Sequence, residues 1–138
     1  MARFGKRSMR NLEGVHPLLV DWALELVTIM DCSVVSGVRD MTTQRQYVSL
    51  GVSKTMNSMH LIQPDGYGHA VDLAPYPIKW ERTRSFDLLA GIGLGLAFKM
   101  GIKIRWGGDF NQNMDVYDEN FNDLGHFEIK QAYTVREV

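Results

Sequence analysis

The sequence predicts an α+β fold, a small and largely antiparallel sheet with helices packed against it. Three observations lead there. Segments with apolar residues three and four apart are interspersed with short runs that read as strands. The connections between them are too short for several parallel crossovers. The chain has 138 residues, 45% hydrophobic and 22% charged, which fits a soluble globular protein able to bury a core. No repeat, low-complexity segment or linker divides it, so residues 1–138 are expected to form one domain.

Residues 1–14 are basic and polar, with Arg3, Lys6, Arg7 and Arg10 crowded together. They read as a loosely attached arm, either a solvated tail or a weak, salt-sensitive contact for an anionic polymer or membrane. Pro17 opens a helix, because its missing N–H is harmless in the first turn. Leu18, Leu19, Trp22, Leu26 and Ile29 give that helix an apolar face, and it should stop near Asp31. Ser33–Val38 reads as a strand. Thr42 and Thr43 are N-cap candidates for a second helix, and Gly51 is a plausible stop. Residues 52–68 read as an irregular loop, Ala70–Ala74 as a strand closed by Pro75 and Pro77, and Arg84–Met100 as a long apolar helix. Ile102–Trp106 is a further strand, followed by a polar loop to Asp123 and a last short strand, His126–Ile129.

Composition excludes several classes of function. The net charge of −1 supplies no global attraction to nucleic acid, so no such partner is expected. Cys32 is the sole cysteine, which rules out an intramolecular disulfide and reads as a buried, inert thiol. The apolar stretch from Leu18 is broken by Asp21 and Glu25, unlike a secretory signal. The longest apolar run, Leu88–Phe98, has eleven residues, too few to span a bilayer. A cytoplasmic protein without stable membrane insertion is expected. Gly91, Gly93 and Gly95 lack the spacing of a dinucleotide fingerprint and read as packing positions inside a helix.

The histidines carry more information. His16 precedes the helical proline and reads as a cap or surface residue. His60, Asp72 and His126 offer two imidazoles and a carboxylate, three ligands of the kind a catalytic zinc ion needs while one position stays open. Spacing alone leaves His69 as a rival to His60. In a strand, however, residues 69 and 72 point to opposite faces, which favours His60 approaching from the loop. Asp123, three residues before His126, is either a general base or a turn residue of Asn122-Asp123-Leu124-Gly125. Glu128 shares a strand face with His126 and either orients it or faces solvent. Arg39 either grips a carboxylate or oxyanion, or forms a surface salt bridge with Asp40 or a glutamate.

Ser58-Met59-His60 followed by Gly68-His69-Ala70-Val71-Asp72-Leu73 resembles the Ser-x-His…Gly-x-Ala-x-Asp signature of D-alanyl-D-alanine-type metallopeptidases, whose zinc sites are shared with the Hedgehog-like fold. Phe4-Gly5-Lys6-Arg7-Ser8 and Asn11-Leu12-Glu13-Gly14-Val15-His16-Pro17 look like the start of phage L-alanyl-D-glutamate endopeptidases. Ser36-Gly37-Val38-Arg39, Gln44 and Gln46 in the next helix, Ile104-Arg105-Trp106-Gly107-Gly108-Asp109 and Gly125-His126-Phe127-Glu128 continue the likeness in order along nearly the whole chain. The resemblance implies zinc ligands at His60, Asp72 and His126, a catalytic carboxylate at Asp123, and Arg39 on the substrate or developing oxyanion. Ser58 and Glu128 would lie around the ligands or substrate. It also implies a peptidoglycan stem peptide as substrate, and a monomer reaching the wall from the host cytoplasm once the membrane is permeabilised.

One departure stands out. The family pattern places the glycine three residues after the first histidine, whereas eight positions separate His60 from Gly68. An insertion within Leu61–Tyr67 costs little closure entropy, so it is expected to spare the metal and to reshape the substrate cleft. Two rivals share the motif, a D,D-carboxypeptidase or dipeptidase of the same family and a non-catalytic zinc module that binds cell wall.

Overall fold

The computed structural model describes residues 1–51, 53, 58–119 and 122–130. Parts of the two expected loops, residues 52, 54–57 and 120–121, and the chain beyond Lys130 lie outside the described residues. The elements run α1 (Lys6–Asn11), α2 (Pro17–Ile29), β1 (Cys32–Ser36), α3 (Met41–Ser49), β2 (Ala70–Pro75), α4 (Thr83–Met100), β3 (Ile104–Trp106), a 3₁₀ turn (Val116–Asp118) and β4 (His126–Ile129). The strands form one sheet in the order β1-β2-β4-β3, and every pairing is antiparallel.

Strand alternation divides this sheet into two chemically different faces. Val71 lies opposite Phe127, which lies opposite Trp106, while Ile104 pairs with Ile129 and Val34 with Leu73. All are buried, and all belong to the apolar core with α2 and α4. The intervening positions carry the other set: Ala70 opposite Glu128 opposite Arg105, and Asp72 opposite His126. One face is therefore hydrophobic, and the other bears the polar groups that chemistry would need.

The helices on the apolar face interlock at one close approach. On α4 the buried residues Phe86, Leu89, Ala90, Gly93 and Ala97 recur at helical spacing, and on α2 Leu19, Trp22, Ala23, Leu26 and Val27 do the same. The Trp22 indole N–H donates to the carbonyl of Gly93 at 2.8 Å, and its ring lies 5.2 Å from that of Phe127. A Cβ at Gly93 would meet Trp22 Cζ2 at 2.8 Å, so the glycine is what lets the indole pass. A Cβ at Gly91 or Gly95 would meet nothing within 4 Å, so neither glycine marks a close approach. Among the described residues, no helix is long and apolar enough to cross a membrane.

Several expectations need correction. The first residues are no loose arm. Ser8, Leu12 and Val15 are buried. The Ser8 hydroxyl accepts from Val34 N–H at 3.0 Å, and the Asn11 amide donates to Val34 O at 2.8 Å, so α1 satisfies the outer edge of β1. The apolar face of α2 is rotated from the one expected, since Leu18 and Ile29 are 39% and 56% exposed. Helix α3 is capped by Asp40, whose carboxylate accepts from Thr43 N–H at 2.7 Å, and not by Thr42 or Thr43. Strand β1 ends at Ser36 after a register shift, and β3 begins at Ile104. His16 caps α2 as expected, its Nδ1 accepting from Leu18 N–H at 3.1 Å. Cys32 is buried, and its thiol is pushed up to about 12 by burial and by Asp31.

The helix contact yields a prediction. Gly93→Ala should destabilise the protein by about 1–3 kcal/mol through overpacking. Gly91→Ala and Gly95→Ala should instead stabilise it by about 0.5–1 kcal/mol each, through helix propensity. Urea midpoints of the three variants read the difference.

Candidate metal centre

His60, Asp72 and His126 converge, with one potential ligand atom from each lying within 4.8 Å of the other two. Asp72 Oδ1 is 3.1 Å from His60 Nε2 and 3.3 Å from His126 Nδ1. The β2–β4 register sets Asp72 directly opposite His126 on the polar face. His60 arrives from the loop, its main-chain N–H donating to Ser58 Oγ at 3.1 Å and its carbonyl accepting from Arg39 N–H at 2.9 Å.

The remaining ring nitrogens decide what this arrangement holds. His60 Nδ1 donates to the carbonyl of Gly37 at 2.7 Å, and His126 Nε2 donates to Glu128 Oε1 at 2.8 Å. A carbonyl and a carboxylate only accept, so each ring's proton is committed to the outer side. In the neutral imidazoles the inner nitrogens then present bare lone pairs to a carboxylate, an arrangement that requires a cation between them. Two imidazolium protons or one metal ion satisfy it. Two neutral imidazoles and a carboxylate are the donor set of a divalent-metal site, and the outer acceptors are the partners that orient such ligands.

Charge follows the same logic. Burial pushes the Asp72 carboxyl upward, but the adjacent His60 and His126 outweigh it and hold the group far below the usual carboxylate range. Burial alone would lower His126, yet its bonds to Asp72 and Glu128 raise it to about 9. Glu128 is held below its ordinary value, against burial, by His126 and Arg105. Arg105 binds its second oxygen through Nε and an Nη, at 3.1 and 2.8 Å.

Around this centre lies a cleft of about 830 Å³ lined by Arg39, Tyr47, Trp80, Phe110 and Asp123 together with the three convergent residues. Asp123 forms the turn that the sequence allowed and also faces the cleft. Its carbonyl accepts from His126 N–H at 3.0 Å, closing a turn into β4. Its carboxyl lines the cleft, where burial first and then the charge of Asp72 raise its pKa. Among the described residues, Arg39 is paired with neither Asp40 nor a glutamate. One Nη donates to Asp72 Oδ2 at 3.2 Å and the other to Gln44 Oε1 at 3.0 Å, while its guanidinium lies 4.6 Å from the Tyr47 ring centre. The buried Nε has no acceptor among the described residues.

A family model described as phage L-alanyl-D-glutamate peptidase matches residues 1–130. The chain belongs to that family. It is 30% identical to the L-alanyl-D-glutamate peptidase of Escherichia phage T5, over an alignment covering 92% of this chain and 97% of that one. It is also similar to the crystal structure of the Serratia marcescens L-Ala D-Glu endopeptidase ChiX. That match has 31% identity and a TM-score of 0.75, and covers 95% of this chain and 92% of the other.

Within the family frame, His69 stands apart from the centre. Its Nε2 lies 2.8 Å from Asp65 Oδ2, and His16 Nε2 lies 3.8 Å from the same oxygen. Asp65 comes from the inserted loop, so the insertion folds against the start of α2. None of residues 61–67 lines the cleft. The expectation that the insertion reshapes the cleft is thus corrected. The sequence named three further residues only as motif positions and missed what they do: Gly37 accepts through its carbonyl, the fully buried Gln44 braces Arg39, and Arg105 pairs with Glu128. Gly37 is also irreplaceable in space, because a Cβ there would fall 1.8 Å from Asn11 O.

The raised pKa of His126 predicts how the metal-free protein responds to pH. A group whose folded value exceeds its unfolded one stabilises the fold below the unfolded value and loses that effect as pH climbs through the folded value. Chelator-treated protein should therefore lose thermal stability between pH 6.5 and about 9. A melting temperature flat across that window would show that Asp72 and Glu128 do not raise the pKa of His126.

Proposed function

We propose that this chain is a zinc-dependent endopeptidase that hydrolyses the L-alanyl–D-glutamate bond of the peptidoglycan stem peptide during phage lysis. The observation that carries the reading is the pair of imidazoles whose outer nitrogens are committed to Gly37 and Glu128, leaving two inner nitrogens aimed at Asp72. His60 would hold the ion through Nε2, His126 through Nδ1 and Asp72 through its carboxylate. Zinc bound there supplies Lewis acidity towards the scissile carbonyl and makes water more acidic.

The chain's own residues do the rest. Asp123, with its pKa raised by burial and by Asp72, would accept a proton from the attacking water and return it to the departing amine. Arg39 neutralises part of the charge on Asp72, and as a cation lining the cleft it would favour a substrate carboxylate or the oxyanion. Ser58 sets the main chain of His60, and Glu128 fixes the ring of His126. The protein acts as a monomer and reaches the wall from the host cytoplasm after another factor opens the membrane.

Two measurements test the assignment. Asp123→Ala should retain one zinc per chain and lose about 10²–10⁴ in turnover, whereas His126→Ala should lose the metal itself. Full activity in the first variant removes Asp123 as base, and stoichiometric zinc in the second removes His126 as ligand. Mass spectrometry of digested peptidoglycan should show new amino-terminal D-glutamate. Release of terminal D-alanine would instead identify a carboxypeptidase, and the absence of any new amine would identify a binding module.

A further inference from the structure

A second groove, of about 710 Å³, adjoins the catalytic cleft and shares Val35 and Trp80 with it. It continues across the polar face of the sheet towards the β1 edge. Ser33, in its wall, lies opposite Ala74, two residues along β2 from Asp72 and so roughly 7 Å away along the strand. Arg3, Lys6 and Arg7 line it against a single carboxylate, Asp31. All three cations are exposed, and none forms an ion pair among the described residues. Across from them stand Tyr76 and Trp80, 64% and 60% exposed. The whole chain carries a net charge of −1, so this concentration of positive charge is local.

The chemistry of the stem peptide says what such a groove would take. On one side of the L-alanyl–D-glutamate bond only alanine precedes the uncharged glycan. On the other, D-glutamate continues through its side chain and keeps a free carboxylate. A diamino-diacid third residue adds another, and the terminal D-alanine a third. The negative charge of the substrate therefore lies entirely on the D-glutamate side. Two extended residues span roughly 7 Å, the rise along β2 from Asp72 to Ala74, which lies opposite Ser33 of the groove.

We propose that this groove binds the carboxylates of the stem peptide beyond D-glutamate, with Arg3 and Arg7 as their principal partners and Tyr76 and Trp80 supporting the peptide. Arginine suits the role because its planar fork pairs with a carboxylate through two parallel hydrogen bonds. The inference rests on the endopeptidase reading above, and it gives the basic first residues a role in substrate recognition.

The test uses two acetylated tetrapeptides, L-Ala–γ-D-Glu–diaminopimelate–D-Ala with free carboxylates, and the same peptide amidated at the third and fourth residues. The full-length zinc-loaded protein should favour the free form by about tenfold or more in kcat/KM, chiefly through KM. The preference should shrink in about 0.5 M salt, as expected for exposed charges. Arg3→Ala/Arg7→Ala should bring it below about twofold, and Arg7→Glu, a second variant should the first fold poorly, should invert it. Equal losses on both peptides, or no wild-type preference, would overturn the assignment. So would a preference for a disaccharide-bearing peptide that Tyr76→Ala abolishes, which would give the groove to the glycan. Wild-type protein that cuts neither peptide sinks the endopeptidase reading, and this inference with it.

Discussion

A carboxylate held between two imidazoles has to be matched by positive charge, and the polar face of the sheet is organised around that requirement. Asp72 sits opposite His126 because β2 and β4 pair in that register, and slipping either strand by one residue would turn its side chains into the core. The apolar side of the same strands, Val71, Leu73, Phe127 and Ile129, is what prevents the slip. Packing on one face thus fixes ligand geometry on the other. Trp22, lodged between Gly93 and Phe127, joins the helix layer to the strand that carries His126.

His60 is the convergent residue that the sheet does not supply, and its placement draws in the start of the chain. Its ring is held by the Gly37 carbonyl, and Gly37 lies against the main chain of Asn11. Ser8 and Asn11 meanwhile bind both main-chain groups of Val34. Gly68, which follows the insertion, donates to Gly14 O and accepts from His16 N–H. Residues 8–16 therefore brace the β1 edge and the loop that carries His60, and the insertion is absorbed there through Asp65, outside the lining of the cleft.

Much of this was legible in the sequence. Element types followed from periodicity, and the choice of His60 over His69 followed from strand alternation, which sends residue 69 to the face away from residue 72. The family motifs named the convergent residues. Other parts were hidden for physical reasons. The basic residues of the amino-terminal segment masked Ser8, Leu12 and Val15, whose spacing of four and three is helical and whose side chains are the ones that dock. Asp40 outcompeted the expected threonine caps because its carboxylate lies in reach of Thr43 N–H. A carbonyl acceptor such as Gly37 O leaves no mark in a sequence, since every residue has one. Gln44 reaches back from the first turn of α3 to brace Arg39, just before the cap Asp40, a contact outside the usual three- and four-residue helical spacings.

The central claim is that two imidazole nitrogens and one carboxylate oxygen meet on a single divalent ion. X-ray absorption at the zinc edge of the loaded protein tests it most directly. The expected spectrum shows one zinc per chain with two imidazole ligands at about 2.0–2.1 Å, and the remaining directly bound atoms all oxygen at about 2.0–2.2 Å. A sulfur scatterer at about 2.3 Å, which only Cys32 or a methionine could provide, or a shell with fewer than two imidazoles, would contradict it.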